Sequence, residues 1–129
     1  MDRIHPHRRQ SLDQHFLESL YGDDLEYAEE VFTEFLKNTK IEFDSIKNNY
    51  REDDLKKVRQ QLHKIKPTFG FVGLTGLTER TEKVIAACDI SASVKNIEPE
   101  CSELFIEIEG SFRLIEAELE RMKNHTDET

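Results

Sequence analysis

Only two of the 129 residues are cysteine, three are proline and five are glycine. Cys88 and Cys101 are too few for a disulfide framework, and their spacing fits no zinc motif, so a reduced, cytoplasmic setting is expected. With few Pro and Gly and no β-branched runs, little interrupts a helix. No stretch approaches the ~18 apolar residues that suggest a membrane span. Met1 to Gln10 carries charge but no apolar run, so no signal peptide is expected. Basic residues are the minority, 18 against 27 acidic, for a net charge of −9. That balance argues against nucleic acid and anionic membranes as partners.

What is present is a soluble composition, 35% charged and 36% hydrophobic, in a length that fits one domain. Apolar residues recur at spacings of three and four. They fall at Leu25, Ala28, Phe32, Phe35, Thr39, Phe43, Ile46 and Tyr50. A second stripe is Leu55, Val58, Leu62, Ile65, Phe69 and Val72. A third is Leu77, Thr81, Val84, Ile85 and Cys88. The last runs Cys101, Leu104, Phe105, Ile108, Phe112, Ile115, Leu119 and Met122. Each stripe must be buried against another helix.

The boundaries follow the same logic. Asp23-Asp24 and Asp53-Asp54 are expected to cap helix N-termini. Gly73 and Gly76 mark a turn, Ser91 to Asn96 reads as a polar loop, and Pro99 suits the first turn of the last helix. Short links make neighbours antiparallel. The expected fold is all-α: an up-down-up-down four-helix bundle over 11–123 with an extra short helix near Ser11 to Leu20. Tails are expected over 1–10 and 124–129, and His5, His7 and His15 are read as parts of a frayed tail rather than metal ligands.

One window departs from the acidic average. From Leu55 to Thr78 there are five basic residues (Lys56, Lys57, Arg59, Lys64, Lys66) and no Asp or Glu. At about 100° per residue, Leu62 and Ile65 face the core while His63 faces away. Lys56, Arg59, Gln60, Lys66, Pro67 and Gly70 lie within about 60° of His63 on the same face. An exposed imidazole on a basic, acid-free face is suited to holding an anion. Gly70 keeps that face shallow and open to a partner. Pro67 has no N–H for the carbonyl of His63, so the sequence suggests either a kink at the histidine or a helix that stops near Ile65.

A neutral imidazole is a nucleophile near pH 7, and phosphoryl transfer chiefly needs positioning and charge neutralisation. No nucleotide-binding loop, metal-ligand spacing or carboxylate accompanies His63 in sequence. The glycines at 70, 73 and 76 follow no strand and precede no Gly-Lys-Ser/Thr. Residues 68–73 superficially resemble an RNA-binding strand, but helical spacing runs through them. The chain is therefore expected to accept a phosphoryl group without activating one itself.

These residues resemble the motif of histidine-containing phosphotransfer domains of bacterial multistep phosphorelays. That pattern has the phosphorylated His, an apolar residue two later, Lys three later and Gly ten later, here His63, Ile65, Lys66 and Gly73. Gly70 matches a position kept small. Pro67 stands where the pattern has Gly, and bulky Phe69 where it has a small residue. The layout matches over about 11–123.

The resemblance implies a phosphocarrier rather than an enzyme, phosphorylated on the outer nitrogen of His63 by a receiver-domain aspartyl phosphate. It also implies that Lys66, and more weakly Lys64, stabilise the phosphate. Gln60 is placed by helix geometry to donate a hydrogen bond. Arg59, Lys56 and Gly70 would contribute to partner binding. No cofactor or metal of its own is expected; the receiver would bring acids and Mg²⁺. A monomer is expected, because the stripes close one core. A histidine-kinase dimerisation pair does not fit, since the chain has no ATP-binding motif. The rival is a non-covalent helical interaction module using the same surface. A ring packed inside the protein, or a Lys66 directed elsewhere and tied to a carboxylate, would overturn the phosphocarrier reading.

Overall fold

The computed structural model describes residues 10–128. Among them are five α-helices, one short 3-10 turn and no strand. The helices are α1 (Gln14–Tyr21), α2 (Leu25–Arg51), α3 (Leu55–Phe71), α4 (Thr75–Asp89) and α5 (Glu100–Glu128). Of the tail expected over 1–10, residues 1–9, with His5 and His7, lie outside the described residues, whereas Gln10 donates to the Glu107 carbonyl at 3.2 Å and His15 lies in α1.

The helix starts are set by carboxylates. Asp13, Asp24 and Asp54 each accept the backbone N–H three residues on, from Phe16, Tyr27 and Lys57. Each supplies an acceptor to an otherwise orphaned donor. The end of α3 is set by glycine. Gly73 adopts φ 79°, the Leu74 N–H bonds the Phe69 carbonyl at 2.9 Å, and the Gly73 N–H bonds the Gly70 carbonyl at 3.1 Å. This is a Schellman closure, and it needs a residue free to take positive φ. Asp53 takes the equivalent position after α2 at φ 58°, and its side chain accepts the Val94 N–H at 2.9 Å. That bond ties the α2–α3 turn to the α4–α5 connection.

Helices α2 to α5 close a four-membered ring: α2 packs on α3, α3 on α4, α4 on α5 and α5 back on α2. Helix α1 lies across one end, where Leu17 meets Gly73 and the Asp13 N–H bonds the Gly73 carbonyl at 2.8 Å. The apolar stripes meet at the centre. Phe32, Phe43, Ile46, Val58, Leu62, Phe69, Ile108 and Ile115 are all fully buried. Phe43 contacts Phe105 and Phe112 edge-to-face at 5.5 and 6.0 Å, and Phe35 meets Phe69 at 6.0 Å. Such contacts add to the burial of the rings. They also account for Phe69, the bulky departure from the motif, which fills the core.

Three boundaries differ from the sequence reading. Helix α3 runs unbroken through Pro67 to Phe71 and does not stop near Ile65. The Ser91–Asn96 loop leads into a 3-10 turn, Val94–Ile97, whose Ile97 is fully buried and anchors the connection. Helix α5 continues to Glu128, beyond the expected end at 123, because no Gly or Pro follows to stop it.

Candidate functional site

Helix α3 is held in a fixed rotation by its neighbours. Leu62 and Ile65 are buried, and Gln61 forms a polar clamp to α2: it accepts from Asn49 at 2.7 Å and donates to Ser45 at 2.8 Å. With Gln61 turned to α2 and Leu62 to the core, His63 projects outward and is exposed. Its ring makes no hydrogen bond among the described residues.

The expected acid-free surround is corrected by the fold. The window Leu55 to Thr78 contains no acid, but neighbouring helices bring three. Lys66 pairs with Glu82 of α4. Arg59 pairs with Asp89 of α4 at 2.7 Å, and Lys64 with Glu42 of α2 at 2.8 Å. Arg59 and Lys66 are two turns apart on α3, as are Asp89 and Glu82 in reverse order on antiparallel α4. The result is a two-rung ionic ladder, with His63 between the rungs. On the other flank, Lys64 reaches toward α2.

Lys66 is thus tied to a carboxylate, one of the two conditions that together would overturn the phosphocarrier reading; the other is a lysine directed away from His63. Lys66 holds the Glu82 carboxyl below the usual carboxylate range, by hydrogen bond and charge, and His63 and Arg59 lower it further. Lys66 follows His63 by one turn on α3, so the pair lies on the flank of the histidine that faces α4. The Glu82 side chain is 59% exposed and that of Lys66 25%. Water screens such a pair and leaves it readily exchanged for a stronger anion.

The remaining expected residues fall as follows. Lys56 and Gln60 are exposed, with no partner among the described residues. Gly70 sits two turns beyond His63, and a Cβ built there meets nothing within 4 Å. A groove runs between α2 and α3, along the side of α3 that carries Lys64 and Thr68. Its margins include Ile41, Tyr27 and Phe71, with 64%, 53% and 52% of their surfaces exposed. The site therefore combines an open imidazole, paired cations and an adjoining apolar rim. Thr68 donates to the Ile65 carbonyl at 2.6 Å, next to Pro67.

Sequence reading missed Glu82, Asp89 and Glu42. A helical projection of α4 puts Glu82 and Asp89 on one flank of the Thr81-Val84-Ile85-Cys88 stripe. Only the packing shows that this flank faces α3.

An exposed histidine on the third helix of a five-helix bundle, with a lysine one turn on, is the arrangement the motif called for. The family model described as Hpt domain matches residues 30–125, from within α2 into α5. No curated protein and no solved structure matches the chain significantly. The match spans most of the sequence and the whole of α3 and α4, and the chain belongs to the Hpt domain family.

Proposed function

We propose that the protein is a phosphocarrier of a multistep phosphorelay, with His63 as the carrier. The observation that supports this best is the exposed, unbonded imidazole of His63 on α3 of an Hpt-family bundle. A lone pair on the outer ring nitrogen attacks phosphorus of a receiver's aspartyl phosphate. The N–P bond forms as the P–O bond to the aspartate breaks, and the carboxylate leaves with the electron pair. The reverse step loads a second receiver. Lys66, and secondarily Lys64, offset the phosphoryl charge; Gln60 donates to it. The receiver supplies Mg²⁺ and the acids that hold it, so this chain acts as a carrier without an ATP site.

Docking would use the α2–α3 face. Ile41 and Phe71 offer apolar contact, Lys56 and Lys64 offer charge, Arg59 adds charge from the α4 side, and the open surface at Gly70 lets the partner approach. We infer that the chain works as a cytoplasmic monomer. Among the described residues no helix is long and apolar enough to cross a membrane.

Incubation with a phosphorylated receiver and Mg²⁺ should give acid-labile, alkali-stable label on the chain, and His63→Gln should abolish it. Label unchanged in that variant would rule out His63. The pairing of Lys66 with Glu82 favours the rival reading, a non-covalent interaction module. Receiver binding undiminished in His63→Gln, with no phosphohistidine in the parent chain, would establish that rival.

A further inference from the structure

The cation best placed to meet a phosphoryl group on His63 is already engaged. Lys66 lies one turn beyond the histidine on α3 and pairs with Glu82, which reaches across from α4. Because Lys66 follows His63 by one turn on α3, its pair with Glu82 sits on the flank of the histidine that faces α4, and the charges of His63 and Arg59 help to lower the Glu82 carboxyl. The other cations are less available. Arg59 is held by Asp89 at 2.7 Å, and Lys64 by Glu42 on the opposite flank at 2.8 Å.

A phosphoryl group would bring roughly −1.5 to −2 of charge to this spot. Two anions would then compete for one ammonium group. Lysine is suited to such an exchange: it is a point charge with three donors on a flexible stem, and it needs no fixed fork geometry. The exposure of the pair keeps the barrier to exchange low.

We propose that Glu82 is a positioning residue that competes with the phosphoryl group for Lys66 and so limits the stability of the phosphohistidine. In the unloaded chain Glu82 holds Lys66 beside His63. On loading, Lys66 swings to the phosphoryl oxygens, and Glu82 is left uncompensated next to a second anion. The repulsion favours departure of the phosphoryl group to a receiver aspartate. Glu82 forms no bond to the reacting atoms and acts through Lys66. The inference rests on the phosphocarrier reading of His63.

The test compares the parent chain with Glu82→Gln, both loaded on His63 with phosphoramidate and also equilibrated with a phosphorylated receiver. The glutamine keeps the shape and a hydrogen-bonding oxygen but removes the charge. The phosphohistidine should last longer in Glu82→Gln, and the partition between chain and receiver should shift toward His63 by roughly two- to fivefold. Glu82→Asp should restore most of the parent behaviour. In a Lys66→Ala background the effect of Glu82→Gln should shrink, because the two residues act on one interaction.

A spectroscopic readout is independent of any variant's folding. The Glu82 carboxyl carbon, followed by NMR in the parent chain at neutral pH, where the phosphohistidine survives, should shift on loading, having lost its ammonium partner. Equal lifetimes and partition in parent and Glu82→Gln, or a Glu82 carboxyl signal unmoved by loading, would overturn this inference and leave the phosphocarrier reading intact. Failure of His63 to carry a phosphoryl group by either route would overturn both.

Discussion

In the proposed mechanism Lys66 offsets the phosphoryl charge, and its position has two consequences. Its pair with Glu82 is solvent-exposed, so Lys66→Ala should slow phosphoryl transfer severalfold while barely moving the melting temperature. A large drop in thermal stability would instead make Lys66 a structural residue. The pH dependence follows from the depressed Glu82 carboxyl. Its folded value lies below its unfolded one, so the pair's small contribution is complete above the ordinary carboxylate range. It is lost as pH falls through the depressed value, when protonation releases Lys66. Two-dimensional NMR of the lysine ammonium should show that release only in acid.

At the scale of elements, α3 carries its own tests. Pro67 withholds an N–H from the His63 carbonyl in the middle of a continuous helix. Pro67→Ala restores that donor and should raise stability, by up to about 3 kcal/mol if the site relaxes fully, in a denaturant titration. A lower stability would mean that the ring packs usefully in place. The two glycines of the motif should part company. Gly70 has ordinary helical backbone and open space at its Cβ, so Gly70→Ala should stabilise by roughly 0.5–1 kcal/mol. Bulkier Gly70→Gln should keep the fold yet slow transfer by obstructing the docked receiver. Gly73 has φ 79°, and a Cβ there would stand 2.9 Å from Leu17 Cδ1. Gly73→Ala should cost at least about 1–2 kcal/mol, from the left-handed backbone alone. Equal effects at the two positions would contradict these roles.

At the scale of the whole molecule, what the sequence made legible was what periodicity encodes. The stripes through Phe32, Phe43, Leu62, Phe69, Val84, Ile108 and Ile115 are the core, and Asp24 and Asp54 are caps because a helix start needs acceptors. The outward direction of His63 followed from its offset to Leu62. Cross-helix pairing was not legible. Glu82, Glu42 and Asp89 lie 16, 22 and 30 positions from their cations, and their meeting depends on how α2 and α4 are rotated against α3. Ile97 was hidden for a different reason: with only Val94 three positions before it in a polar stretch, the segment is too short to show a period. Packing also fixes the state of the thiols. Burial pushes the Cys101 thiol up to about 12, and Cys88 in the same direction. A raised folded value stabilises the protein fully below the ordinary thiol range and is lost as pH rises toward that figure. Iodoacetamide at pH 8 should therefore label neither cysteine until the bundle is unfolded; rapid labelling of the native chain would show that the α4–α5 contact opens.

The central claim is that His63 itself carries the phosphoryl group. Site-resolved mass spectrometry of the chain, recovered at neutral pH after exchange with a phosphorylated receiver, tests it most directly. The phosphoryl group should be found on the peptide containing His63, attached to the ring. A phosphoryl group on any other residue, or an unmodified chain recovered from a productive complex, would contradict it.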